Sequence, residues 1–265
     1  MPLISGNKKS LGDKSHKEHR NWSSWAVILD DGSVVTWGSD EYGGDSSAVS
    51  DELKSDVNQI YSSSGAFAAL KTDGSVITWG NPNWFFGGPD GPQGTGVVTV
   101  NSVANHLTSD VCDISSTSEA FAALKSDGSV ITWGDAESGG DSSQVIEQLS
   151  GGVVEVFSTM NAFAALKSNG SVVTWGAQEF GGDSSKVAEK LNSDVIEIFG
   201  SNSVFAALKK DGSVVTWGID ILGGDSKIYG SLIKEGGEYA TKEESEYFWS
   251  VQPSVAEDLN SNVKS

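Results

Sequence analysis

The chain has 265 residues, with 17 Lys and Arg against 36 Asp and Glu and a formal charge of −19, so its average surface repels phosphate backbones and anionic headgroups. Neither nucleic acid nor a membrane surface is an expected partner. A single cysteine, Cys112, excludes an internal disulfide framework, and with no apolar run near the roughly 20 residues of a membrane span and no apolar leader segment, a soluble cytoplasmic protein is the expectation.

Taken in order, residues 1–20 are rich in Ser, Lys, Asp and Gly and are expected as a mobile polar arm. Residues 21–265 are expected as a single repeat domain. The basic cluster of Lys8, Lys9, Lys14, Lys17 and Arg20 reads as a solvated tail. At Trp25 a repeat enters midway: WAVILDDGSVVTWG aligns with FAALKKDGSVVTWG at 205–218, without the segment that precedes later copies. Five copies end at Trp37, Trp79, Trp133, Trp175 and Trp217, at intervals of 42, 54, 42 and 42 residues, the range of stacked or radial repeats.

A full copy begins with a β-branched segment such as SDVIEIF at 193–199, where Val195 and Glu197 alternate with Ile196 and Ile198, as the two faces of a short strand should. Next come AFAALK, an Asp-Gly or Asn-Gly corner, and SVVTWG. The corners are Asp31-Gly32, Asp73-Gly74, Asp127-Gly128, Asn169-Gly170 and Asp211-Gly212, and they predict hairpins closed by type I′ turns with positive φ at both residues. Small side chains on successive positions, as at Ala68 and Ala69, suit a sheet packed on both faces. Each closing Trp is then expected to fill the gap to the adjacent sheet.

After Trp-Gly a GGDSS element recurs, with Asp and Ser placed as a helix N-cap and an apolar pair four apart: Val49/Leu53, Val145/Leu149 and Val187/Leu191. That spacing predicts a helix of about two turns. Two insertions interrupt the series. One lies near 81–98 and carries Trp84, Phe85 and Phe86; the other, near 227–253, carries Tyr239, Tyr247, Phe248 and Trp249. The helix pattern returns at Val255/Leu259, and Val263 then opens another first strand. The predicted fold is therefore an all-β β-propeller of about five blades, four complete and one shared by the two termini, with short helical or turn connections.

The set Leu124, Asp127-Gly128, Val130 and Trp133-Gly134, with its four other copies, resembles the regulator of chromosome condensation repeat family, in a compact divergent form. The resemblance spans about Trp22 to Val263 outside the insertions. It implies a propeller whose loops bind another protein; family members include exchange factors for a small nuclear GTPase. Ala120-Phe121 departs from the His-Thr often found there, and about five copies replace the usual seven.

No nucleophile with a base, metal cluster or phosphate loop stands at useful spacing, so no enzyme activity, cofactor or metal is expected. His16 and His19 fall in the arm, and His106 and Cys112 read as structural. Acidic linkers such as Asp40, Glu41 and Asp45, or Asp135, Glu137 and Asp141, lack EF-hand spacing and read as caps rather than calcium ligands. The expected function is a non-enzymatic protein–protein interaction scaffold acting through loops on one rim. Trp84, Phe85, Phe86, Phe248 and Trp249 are the candidate anchors for the protein partner. Two alternatives are an exchange-type regulator of a small GTPase and a structural repeat segment of a larger protein. Oligomeric state is not fixed by the sequence.

Overall fold

The computed structural model describes residues 17–81 and 103–219, with backbone alone for 17–20. Five antiparallel sheets of three strands follow one another. Sheet 1 is β1 (Lys17–Arg20), β2 (Ser24–Ile28) and β3 (Val34–Gly38), and sheet 2 is β4 (Val57–Ser62), β5 (Ala66–Lys71) and β6 (Val76–Gly80). Sheet 3 is β7 (Val111–Ser116), β8 (Ala120–Lys125) and β9 (Val130–Gly134). Sheet 4 is β10 (Val153–Ser158), β11 (Ala162–Lys167) and β12 (Val172–Gly176), and sheet 5 is β13 (Val195–Gly200), β14 (Val204–Lys209) and β15 (Val214–Gly218). Successive sheets pack face to face as propeller blades, with their first strands beside one another and their third strands met by the linkers.

The alanine strand explains the packing. In sheet 2, Ala66, Ala68 and Leu70 face sheet 3, where they meet Phe121, Ala123 and Trp133. Phe67, Ala69 and Trp79 face the other way, toward Ala26 of sheet 1. The same assignment recurs between sheets 3 and 4 and between sheets 4 and 5. Each interface thus sets a small-residue face against an aromatic pair, because two bulky faces would hold the sheets apart. Phe and Trp stand opposite in the hairpin register and stack, with centroids 5.3 Å apart for Phe121 and Trp133. A linker leucine, Leu53, Leu107, Leu149 or Leu191, closes each of the four cores.

Linker glycines seat these aromatics. Trp79, Trp175 and Trp217 donate Nε1–H to the carbonyls of Gly43, Gly139 and Gly181, at 3.0, 3.0 and 3.1 Å. Gly139 has φ 95°, and a Cβ there would stand 2.6 Å from the Phe163 ring. Both the backbone conformation and the space therefore require glycine.

Four expectations change. The corners have positive φ at Gly only, about 80° at Gly128, while no corner Asp or Asn shares it. Gly128 N–H donates to Lys125 O and Lys125 N–H to Ser129 O, which is a three-residue loop ending in a left-handed glycine rather than a type I′ corner. Asp127 Oδ1 instead accepts from Ser129 N–H and Oγ–H, at 2.9 and 2.7 Å. The expected two-turn helices are short 3-10 segments, such as Ser47–Val49 and Ser143–Val145. Their preceding Asp accepts from the Ser two residues on, 2.8 Å for Asp45 to Ser47, a local bond that satisfies one amide without needing a longer helix.

The third change concerns sheet 1. Its first strand is β1, drawn from the end of the stretch expected as an arm. Residues 220–265, with the C-terminal segment expected to share that blade, lie outside the described residues. Asn21 makes the reversal: its Oδ1 accepts from Ser23 and Ser24 amides and its Nδ2 donates to Tyr42 O. This matches the loop role of Ser63, Thr117 and Thr159 in later sheets. The strand was invisible in the sequence because Lys17–Arg20 has no apolar alternation; Glu18 stands opposite Val27, where Ile60 stands opposite Ala69.

The fourth concerns Trp37, expected to fill an intersheet gap like its four counterparts. Trp79, Trp133, Trp175 and Trp217 are at most 5% exposed, but Trp37 is 47% exposed. It stacks on Trp25 at 6.0 Å, on the face of sheet 1 turned away from sheet 2. No described sheet precedes it.

Candidate functional site

The candidate anchors Trp84, Phe85, Phe86, Phe248 and Trp249 all lie outside the described residues, as do His16 and both insertion segments. His106 is exposed at the end of the turn Ala104–His106. Asp45, Asp135 and Asp141 each accept a nearby backbone N–H, from Ser47, Ser138 and Ser143. Their backbone bonds hold the Asp45 and Asp141 carboxyls below the usual range. Asp135 is the N-cap of Ala136–Gly140, whereas Asp45 and Asp141 stand one residue before the N-cap serines Ser46 and Ser142, which make no side-chain cap bond. Among the described residues no three His, Cys, Asp or Glu side chains converge on a point. A shallow depression of about 410 Å³ near the corner of sheet 4 is lined by Gln148, Lys167, Asn169 and Ser184 among others.

The described residues do assemble one chemically distinct surface, on the first strands. β4, β7, β10 and β13 each carry a register shift against their neighbour, between Val57 and Gln59, Val111 and Asp113, Val153 and Glu155, and Val195 and Glu197. An extra residue on one strand breaks the two-residue alternation. Val195 and Ile198 are consequently both buried, while Ile196 and Glu197 are both exposed. The simple alternation expected for SDVIEIF, with Ile196 and Ile198 on one face, is therefore corrected.

Because first strands of successive sheets lie beside one another, the bulges line up two rows. One row runs Asn58, Cys112, Val154, Ile196; the other runs Gln59, Asp113, Glu155, Glu197. Val154 and Ile196 are 52% and 50% exposed. Partial burial, then the charges of Asp113 and Glu197, raises the Glu155 carboxyl above its ordinary range. Tyr61 donates its hydroxyl to Asp113 Oδ1 at 2.6 Å, and burial followed by that bond pushes the phenol upward. Cys112 Sγ lies 3.3 Å from Leu124 O, and desolvation, then Asp113, raises its thiol. In sheet 1 the same register position belongs to Lys17, opposite Ile28. The sequence signal for this wall was the polar third residue of VNQ, VCD, VVE and VIE; without the bulge it reads as ordinary alternation.

No family model matches the sequence, and no curated protein matches it. Among solved structures the chain is similar to Prp20p of Saccharomyces cerevisiae, described with its binding to Gsp1p and histones. The identity is 15% and the TM-score 0.49, over 77% of this chain and 57% of that one. It is similar also to yeast RCC1 (Prp20) bound to Kap60, at 16% identity and TM-score 0.48 over 77% and 56% of the two chains. Human WBSCR16 gives 18% identity and TM-score 0.44 over 75% and 60%. The chain thus spans little more than half the length of these structures. No described helix is long and apolar enough to cross a membrane.

Proposed function

We propose that the chain is a repeat scaffold that binds a protein partner through a basic, partly apolar segment of that partner, laid along the wall of first strands. The observation that carries this is the pairing of two rows, carboxylates at Asp113, Glu155 and Glu197 beside exposed Val154 and Ile196. Carboxylates held in one row favour cations, and exposed apolar side chains beside them gain when covered. The chain's charge of −19 adds a long-range field of the same sign. In this reading the insertion aromatics Trp84, Phe85, Phe86, Phe248 and Trp249 are additional anchors on loops.

The test is a titration with a labelled peptide of alternating Arg and Leu, against an acidic peptide of the same length. Binding of the basic peptide that weakens with salt and falls at least about tenfold, roughly 1.4 kcal/mol, in Glu155→Lys/Glu197→Lys supports the proposal. Equal affinity for both peptides, or no change in the double variant, refutes it. Accelerated nucleotide release from a small GTPase on addition of the chain would favour the exchange-factor reading instead.

A further inference from the structure

The four internal interfaces are one contact repeated, and the two end sheets expose its separate halves. Sheet 1 turns outward the aromatic half, in which Trp37 and Val35 are each 47% exposed, at the positions of Trp79 and Ile77. Sheet 5 turns outward the small-residue half. Ala206 and Leu208 stand there where Ala164 and Leu166 receive Phe205 and Trp217 in the preceding interface. Ala164 and Leu166 are buried, whereas Ala206 and Leu208 are partly exposed. Phe199, at the position of Phe157 in that interface, is 54% exposed.

The geometry points to head-to-tail assembly with a second copy of this chain, sheet 1 of one copy packing its Trp37 face on the Ala206 face of sheet 5 of the other. Within the chain, the two faces do not cover one another, since both keep their exposure. A second copy supplies a hairpin in the same register and of the same residue types as the four already packed. Backbone bonds between loops run in the same sense, from Ser64 N–H to Ser118 O, Ser118 N–H to Met160 O and Met160 N–H to Asn202 O, so each sheet joins the next with a fixed polarity. Extending that polarity gives a heterologous contact, and heterologous contacts close into rings or grow as filaments. This inference is independent of the proposed peptide-binding wall.

Sedimentation velocity over a wide concentration range tests it. The expected result is a mass of two or more copies at high concentration, reduced to one copy in Trp37→Glu and in Phe199→Glu. Both substitutions fall on exposed side chains, and an unchanged cooperative melt verifies that each variant folds. Mixing the two variants is the decisive arm: one intact aromatic face and one intact small-residue face remain, so a complex of two chains that grows no further should return. A chain that stays monomeric at every concentration overturns the inference. So does a Phe199→Glu variant that still pairs with itself, which would mean aromatic face against aromatic face, or a mixture that stays monomeric.

Discussion

Sheets 1 and 4 carry the same hairpin and use it differently. In both, an aromatic on the middle strand stands opposite a tryptophan on the third, Trp25 with Trp37 and Phe163 with Trp175, and in both the rings stack. Yet Trp175 is 5% exposed and Trp37 is 47% exposed. What differs is the neighbour: Trp175 lies against Ala120, Ala122 and Leu124 and bonds the carbonyl of Gly139, whereas sheet 1 has no described sheet before it. Stacking is a property of the hairpin; burial is a property of the array. A repeat fold of this kind is stabilised chiefly between units.

Substitutions in matched positions of the two sheets separate the contribution of the hairpin from that of the array. The largest effect belongs to the indoles themselves. Trp175→Ala should lose about 3–5 kcal/mol in denaturant unfolding, the range for truncating a buried aromatic, while Trp37→Ala should lose under about 1 kcal/mol, as for a surface site. Comparable losses at both would mean that the stacked pair stabilises the hairpin on its own.

Next is the seat beneath the ring. Gly139→Ala would place a Cβ 2.6 Å from Phe163 at φ 95° and should cost more than 1 kcal/mol, roughly the strain of a left-handed residue plus overpacking. At Gly151 the nearest atom to an added Cβ is 3.9 Å away, so Gly151→Ala should be neutral or stabilising by up to ~1 kcal/mol. A similar loss at both positions, read from thermal melts, would place the sensitivity in the backbone generally rather than in the aromatic seat.

The smallest effect should show no difference between the sheets at all. Asp31 and Asp127 accept the same two bonds from Ser33 and Ser129, side-chain bond first, and both carboxyls are held below the ordinary range. A carboxyl whose pKa is lowered on folding contributes stability above its unfolded pKa, near 3.9, and loses it as pH falls through the folded value. Asp31→Ala and Asp127→Ala should therefore lower the urea midpoint slightly and alike at neutral pH. For both, the deficit against the parent chain should vanish as pH falls below the carboxyl range. A deficit in only one would show that the corner, too, depends on its neighbours.

This division also explains what could be read from the sequence. The hairpins, the two-sided alanine strand and the leucine of each linker were legible because each rests on chemistry within a few residues: Asp-Gly for a corner, Ala-Ala for close sheets. The turn type was misread because Asp127 solves its local bonding with a Ser side chain and amide, leaving only Gly128 left-handed. β1 was missed because Lys17–Arg20 becomes a strand through the Asn21 reversal and pairing with β2, neither of which leaves an apolar pattern. The carboxylate wall needed the bulge, and a single extra residue takes Ile196 off the face of Ile198 and sets it on the surface beside Glu197. Trp37 looks identical to its four counterparts in sequence, and no local signal distinguishes an end from an interior.

A sheet's place in the array, rather than its own residues, decides how its face behaves. Ala122 and Ala206 test it most directly, since they hold the same strand position and face the same way, but only Ala122 has a described sheet packed on it. At a concentration where the chain is monomeric, Ala122→Leu should lose about 1–3 kcal/mol of unfolding free energy through overpacking against Phe163 and Trp175. Ala206→Leu should change it by no more than about 0.5 kcal/mol, as at a surface site. Equal losses at the two positions would mean that the residues of the strand, and not its neighbours in the array, set the cost.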